Sequence, residues 1–88
     1  MKFVARWSEQ ALDDLRRLQP SFADRITGKV NWYCLQRAPL SFAKPLGGRF
    51  EDVYRFRVGD YRILFETMNG KITILMILRI KHRRDAYR

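Results

Sequence analysis

The sequence has very little of the chemistry that marks disulfide-stabilised or metal-dependent proteins. Among its 88 residues there is one cysteine, Cys34, and one histidine, His82. A single cysteine cannot form an intrachain disulfide or a cysteine-based zinc site, and this usage fits a reducing compartment. The nine Asp and Glu residues are scattered along the chain, so we expect no metal ion and no other cofactor.

Long apolar runs and internal divisions are also missing. The longest apolar run, residues 74–78, is far too short to cross a membrane, and the first ten residues hold no apolar stretch of signal-peptide length. The chain has no internal repeat, low-complexity tract or Gly/Ser-rich linker. We therefore expect one domain over residues 1–88 of a cytoplasmic protein without a membrane partner.

Basic side chains dominate what is present. The chain has 18 Lys and Arg residues against nine Asp and Glu residues, a formal net charge of +9, and 13 of the 18 are arginine. Hydrophobic residues make up 47% and aromatic residues 14%, which is too much apolar surface for a disordered basic tail. A folded domain of this charge is expected to bind a polyanion such as a nucleic acid.

The first half of the chain has the periodicity of a strand followed by two helices. Alternation over residues 2–7 predicts a short strand, and helical spacing over residues 8–19 predicts a helix with Ser8 as its N-cap. A second helix, with Ser21 as its N-cap, is predicted to follow Pro20 and to end near Arg37.

The second half alternates with a period of two. Residues 38–48, rich in Pro and Gly, are predicted to be a loop. Strands are then predicted over residues 53–58, 61–66 and 72–80. The predicted fold class is α+β, in which an N-terminal strand, a helical hairpin and a three-stranded antiparallel meander form one sheet with the helices on one face.

Two turn sequences, Gly59-Asp60 and Asn69-Gly70, set the expected register of the meander. As two-residue hairpin loops they would pair Arg57 with Arg62, and Arg62 with Ile77. The predicted helix-facing side is apolar and comprises Tyr54, Phe56, Val58, Tyr61, Ile63, Phe65, Ile72, Ile74, Met76, Leu78 and Ile80. The predicted opposite face carries Arg55, Arg57, Arg62 and Arg79, with Leu64, Leu75 and Ile77 among them.

The arginine-rich face is a candidate phosphate-binding surface. Like charges directly opposite each other destabilise a sheet unless an anion lies between them, and the guanidinium fork matches a phosphate group bidentately. The alternative is that long arginines extend into water as an ordinary solvated face. The last ten residues, RIKHRRDAYR, add His82 and Tyr87 near this face, although either side chain could be structural.

Three segments carry a resemblance to a known family. VYRFRVGDYRILFE (residues 53–66), NGKITILMI (69–77) and HRRDAYR (82–88) together closely resemble the RelE/ParE superfamily of toxins from type II toxin–antitoxin pairs. Lys44, Leu46 and Gly48 are similar to the Lys-x-Leu-x-Gly approach to the second strand in that family. The likeness spans nearly the whole chain.

The resemblance implies a function and partners. RelE-like members cut messenger RNA in the ribosomal A site without a metal, whereas ParE-like members poison DNA gyrase. The basic ending with a late aromatic residue is similar to the RelE-like branch, which implies a metal-independent, ribosome-dependent endoribonuclease. It also implies the ribosome and mRNA as partners, and a hetero-oligomer with a cognate RelB-like antitoxin, acidic and with a helical tail. A gyrase inhibitor and a non-catalytic RNA- or ribosome-binding module remain alternatives.

The resemblance also assigns site residues. It implies catalytic roles for Arg57, Arg62, Lys81, His82 and Tyr87, and substrate binding by Arg55, Arg79, Arg83 and Arg84. Some members have lysine where Arg55 and Arg57 stand. Arginine cannot accept a proton at neutral pH, so the arginines would act electrostatically and one of Lys81, His82 or Tyr87 would transfer protons. His82 together with Tyr87 is the favoured choice.

Overall fold

The computed structural model describes residues 2–84 as a five-stranded sheet with two α-helices. The elements in chain order are β1 (Phe3–Trp7), α1 (Glu9–Arg16), α2 (Pro20–Leu35), a short 3-10 helix (Pro39–Phe42), β2 (Lys44–Gly47), β3 (Phe50–Val58), β4 (Tyr61–Met68) and β5 (Thr73–His82). The strand order is β1-β5-β4-β3-β2; β1 is parallel to β5 and the other pairs are antiparallel. The predicted α+β architecture is confirmed. No helix in the described part of the chain is long and apolar enough to cross a membrane.

The two helices begin in different ways. Ser8 is the N-cap of α1, as predicted: its Oγ accepts a hydrogen bond from the Ala11 N–H (3.0 Å) and donates one to the Leu78 carbonyl (2.9 Å). The prediction of Ser21 as the second N-cap is wrong, because α2 begins at Pro20 and its N-cap is Gln19, two residues before Ser21. Proline suits the first helical position, where its missing N–H has no partner to lose and its fixed φ is already helical.

The sequence pattern does not predict one of the five strands. The predicted loop over residues 38–48 contains β2, whose Lys44 and Pro45 pair with Arg55 and Tyr54 of β3. A four-residue strand with a proline and a glycine gives no alternation signal, and proline is tolerated there because β2 is an edge strand. Strands β3, β4 and β5 run longer than predicted, with β5 continuing through His82, whereas β1 is one residue shorter.

The register of one hairpin is confirmed and that of the other is wrong. Gly59, with φ +58°, leads the turn that pairs Arg57 with Arg62, as expected. In contrast, Arg62 pairs with Lys81 and not with Ile77. Four residues connect β4, which ends at 68, to β5, which begins at 73, and a bulge shifts the register next to Leu64.

The register change moves part of β5 to the other face. In the part of β5 that precedes the bulge, residues 74–77, the observed pairing with β4 is shifted from the predicted pairing by an odd number of residues. An odd shift turns every side chain to the other face of the sheet. Leu75 and Ile77 are therefore fully buried under the helices, whereas Ile74 and Met76 lie on the opposite face. Beyond the bulge the prediction is correct again, and Ile80 is buried in the core.

The core lies between the sheet and the two helices. Tyr33 of α2 stacks on Phe56, with ring centroids 4.2 Å apart, and Phe56 stacks on Phe65 at 4.4 Å. The buried apolar residues are Ala11, Ile26, Val30, Tyr33, Phe56, Val58, Ile63, Phe65, Leu75, Ile77 and Ile80. Both helices pack on this one side, and we call the opposite side of the sheet the open face.

Candidate nucleic-acid interface

Three basic side chains form a line across the middle of the open face. Arg57 of β3 pairs with Arg62 of β4, which pairs with Lys81 of β5. Adjacent strands lie about 4.8 Å apart, so the three Cα atoms fall within roughly 10 Å. We call Arg57, Arg62 and Lys81 the cationic row. Like charges in such a row repel one another, and an anion bound above them removes the repulsion.

A second line of pairs extends the positive charge toward the β2 edge. Lys44 pairs with Arg55, and Arg55 pairs with Leu64. A cavity of about 140 Å³ lies between the two lines and is lined by Phe42, Lys44, Arg55, Arg57 and Arg62. This lining includes no carboxylate, and the Nε atom of Arg62 is shielded from solvent. The polar side chains that a phosphate group would meet in this cavity are therefore all positively charged hydrogen-bond donors.

Lys44 was not among the predicted site residues. The sequence offered one signal for it, the Lys-x-Leu-x-Gly likeness that begins at this position. Without β2, however, nothing in the pattern placed Lys44 next to Arg55. The edge strand supplies that neighbour through its register with β3.

Arg79, predicted to bind substrate, is engaged by a carboxylate of α1. Its Nε and Nη2 donate to the two oxygens of Asp14 at 2.9 and 3.2 Å, and the Ile80 N–H donates to the same carboxylate at 2.8 Å. The hydrogen bonds to Asp14 and its negative charge raise the pKa of Arg79. This contact joins residues 65 positions apart, so the sequence pattern could not reveal that the charge of Arg79 is already compensated.

His82 lies on the helix side of the sheet, away from the cationic row. It pairs with Tyr61, and the two rings meet edge to face with centroids 5.3 Å apart. Both rings line a cavity that also includes Phe22 and Ile26 of α2. The Nδ1 atom of His82 accepts a hydrogen bond from the Arg84 backbone N–H at 3.2 Å. The structure therefore brings Lys81, but not His82, next to the arginines.

Of the remaining predicted site residues, Arg83 contacts the β3–β4 turn, and Arg84 and Tyr87 belong to the last five residues of the sequence. Arg83 lies 3.8 Å from the Asp60 carboxylate, and its N–H donates to the Asp60 carbonyl at 2.7 Å. Arg84 is exposed beside His82. Tyr87 lies outside the described residues. Within residues 2–84, no group of three or more His, Cys, Asp or Glu side chains could hold a metal ion.

The comparisons with known proteins agree with this fold. Residues 5–87 match the family model described as ParE toxin of type II toxin–antitoxin system, parDE. The chain is 34% identical over 91 residues to toxin RelG of Mycobacterium tuberculosis, covering 100% of this chain and 99% of RelG.

Two solved toxin–antitoxin complexes contain a similar chain. In the RelBE2 complex of M. tuberculosis the TM-score is 0.72 with 28% identity, over 94% of this chain and 100% of that one. In the archaeal RelE–RelB complex of Pyrococcus horikoshii the TM-score is 0.72 with 27% identity, over 98% and 100%.

The fold and the basic sheet face define the class, a small α+β toxin of the RelE/ParE superfamily, which confirms the resemblance found in the sequence. Within that class the chain belongs to the ParE toxin family of type II toxin–antitoxin systems.

Proposed function

We propose that this toxin is a ribosome-dependent, metal-independent endoribonuclease that cuts messenger RNA in the cytoplasm and arrests translation. The observation that carries the proposal is the cationic row on the open face, Arg57, Arg62 and Lys81. A surface of this size and charge suits the phosphates of a single RNA strand, and the neighbouring Arg55 and Lys44 extend it toward flanking phosphates.

The proposed chemistry is attack of a ribose 2′-OH on the adjacent phosphodiester. The 2′ oxygen loses its proton and bonds to phosphorus, and the bond to the 5′ oxygen breaks. The products are a 2′,3′-cyclic phosphate and a 5′-OH. Arg57 and Arg62 hold the non-bridging oxygens, where negative charge accumulates in the transition state.

Lys81 is the proposed proton-transfer residue of the row. Arginine cannot be deprotonated in a protein, whereas the neutral amine of a lysine can take the proton from the 2′-OH as it attacks, and the ammonium so formed can give a proton to the leaving 5′ oxygen. Lys81 lies directly opposite Arg62, while His82 points to the helix side. We therefore assign this role to Lys81 in preference to His82, and Tyr87 stays a predicted contributor.

Induction of the toxin in growing cells tests the proposal against gyrase inhibition, which the name of the matched family model favours. We expect growth arrest with messages cut inside reading frames, detected by mapping RNA 5′ ends, and no DNA-damage response. Intact messages with an SOS response would assign the chain to the gyrase-directed branch. Harmless expression would indicate a non-catalytic binding module.

We further propose a cognate antitoxin, RelB-like and acidic with a helical tail, that forms a hetero-oligomer with this chain. The similar chains were solved in a toxin–antitoxin complex, RelBE2, and in an archaeal RelE–RelB complex. Leu75 and Ile77, which the sequence pattern placed on the arginine-rich face, are buried in the core. The open face instead offers Leu64, the next residue after Arg62 on that face of β4, and Ile74 and Met76 farther along the sheet from the cationic row. An acidic helix seated there would place carboxylates where RNA phosphates bind.

Co-purification from the native operon tests the partner. We expect a small acidic protein from the neighbouring reading frame to be recovered with this chain. Met76→Glu should weaken the complex, because it places a negative charge on the open face where the acidic antitoxin would bind. Recovery of this chain alone, still without toxicity, would contradict the proposal.

A further inference from the structure

We propose that a second nucleotide-binding cleft lies on the helix side of the sheet and holds one nucleotide of the same single RNA strand. The inference rests on the proposed function, since it names a second contact with the same substrate class. The cleft consists of two adjoining cavities, of about 210 and 450 Å³, that share Tyr61 and His82 as a common wall. We call it the helix-side cleft; its other principal residues are Arg17, Phe22, Arg25 and Arg84.

The charges of the cleft favour an anion. Its two carboxylates are already engaged, Asp14 by Arg79 and Asp60 by Arg83. Within residues 2–84, neither Arg17 nor Arg25 has a carboxylate at ion-pair distance. Among the side chains that the structure describes, no carboxylate therefore compensates the charge of these two arginines, and a phosphate would compensate it.

The position of Arg25 is defined by the β3–β4 turn. Gly59 has a φ of +58°, and a Cβ placed there would lie 3.7 Å from Arg25 Nη1. The guanidinium therefore rests directly over the turn, beside the cavity. A Cβ at that distance would make ordinary van der Waals contact with the guanidinium, so glycine is favoured here by the positive φ of the turn.

The aromatic rings of the cleft favour a nucleobase over a bare phosphate. Phe22 is 41% exposed although it packs beside Tyr61, with ring centroids 6.0 Å apart and planes inclined at 51°. An exposed ring next to free arginines is the arrangement that single-stranded RNA uses, with the base stacked on the ring and the phosphate on the cation. An acidic protein segment would need the cations and not the ring.

Lys81 connects the helix-side cleft to the cationic row. It lines the larger cavity, and in the sheet it pairs with Arg62. An RNA strand can thus cross the β5 strand near its C-terminal end, with one phosphate at the row and the next nucleotide in the cleft. This path accounts for cations on both sides of the end of β5.

The test measures the affinity of the purified chain for a fluorescent, 2′-O-methylated hexauridine, which cannot be cleaved by 2′-OH attack. We expect Phe22→Leu, which keeps apolar volume but removes the ring, to weaken binding about tenfold, and Phe22→Tyr to bind normally. Arg25→Ala should weaken binding and reduce the salt dependence by about one phosphate contact. Arg37→Ala, the same change of charge beyond the other end of α2, should leave binding within about twofold.

A second measurement uses only the unmodified chain, so it does not require any variant to fold. Ultraviolet crosslinking of the unmodified chain to 4-thiouridine-labelled RNA should give adducts on Phe22, Tyr61 or His82. Normal RNA binding by Phe22→Leu and Arg25→Ala, or crosslinks that avoid all three rings, would overturn the cleft. Unchanged RNA binding combined with lost binding of the antitoxin would overturn it too, because the cleft would then be a protein site.

The experiments distinguish a wrong cleft proposal from a wrong nuclease proposal. If both cleft variants bind RNA weakly but the unmodified chain cuts no message, the cleft stands and the nuclease proposal falls. If message cleavage requires Arg57 and Arg62 but the cleft variants bind RNA normally, the nuclease proposal stands and the cleft falls.

Discussion

Arg57 and Arg62 form a pair that a sheet selected only for stability would not contain. Two guanidinium groups directly opposite each other are unfavourable, and Lys81 on the next strand adds a third like charge. An anion bound above the row removes this repulsion. Arg57 and Arg62 are therefore expected to contribute to RNA binding and not to the stability of the fold.

Replacing either arginine of the row tests this separation. Arg57→Ala or Arg62→Ala should lower the rate of message cleavage by about 100-fold, because one donor to the transition-state oxygens is lost. The melting temperature of Arg57→Ala should stay the same or rise, since like-charge repulsion is removed. Arg37→Ala is the control. Full toxicity of both variants would mean that the open face is an ordinary solvated surface.

Lys81 provides a test of proton transfer as distinct from charge. Lys81→Arg keeps the positive charge but removes the group that can exchange a proton, so ribosome binding should persist while single-turnover cleavage falls by a factor of about 100 or more. His82→Gln should leave single-turnover cleavage of bound message nearly unchanged. The reverse pattern, with Lys81→Arg active and His82→Gln inactive, would return the role to His82.

At the element scale, α1 and β5 are joined by one carboxylate at the position where β5 passes the end of β1. Asp14 accepts hydrogen bonds from the Arg79 side chain and from the Ile80 N–H, and only 10% of its side chain is exposed. Ser8 reaches the same stretch through the Leu78 carbonyl. These contacts hold the bulged part of β5, and with it the position of Lys81.

Asp14→Ala should therefore destabilise the fold, by about 1–3 kcal/mol, because a largely buried acceptor is removed and its donors lose their partner. Asp13→Ala is a matched control on the same helix. Asp13 pairs with Arg16 at the surface, with both side chains more than half exposed, and its loss should cost less than about 1 kcal/mol. Equal melting temperatures for the two variants would refute the role of Asp14.

The elements also show which parts of the fold a sequence can reveal. The β3–β4 register was predictable because a local turn, Gly59-Asp60, determines it. The β4–β5 register was not, because a longer connection and a bulge have no periodic signature. The same limit applies to the site: Arg57 opposite Arg62 follows from the turn, whereas Lys81 in the row and Asp14 on Arg79 depend on tertiary contacts.

At the scale of the whole molecule, basic side chains of both the open face and the helix-side cleft contribute to the net charge of +9. Affinity for single-stranded RNA should therefore fall steeply with salt. If three phosphates are held, a fourfold rise in salt should weaken binding roughly twentyfold, since each neutralised phosphate releases counterions. The double variant Arg57→Ala with Arg62→Ala should have a shallower slope. A flat salt response of the unmodified chain would contradict a phosphate-based interface.

Cleavage of a defined message on purified, programmed ribosomes is the decisive test of the proposed ribosome-dependent endoribonuclease activity. We predict that the unmodified toxin cuts the ribosome-bound message, leaving a 2′,3′-cyclic phosphate and a 5′-OH, that free message stays intact, and that Arg57→Ala with Arg62→Ala cuts neither. An intact ribosome-bound message, together with inhibition of gyrase supercoiling by the same preparation, would contradict the account.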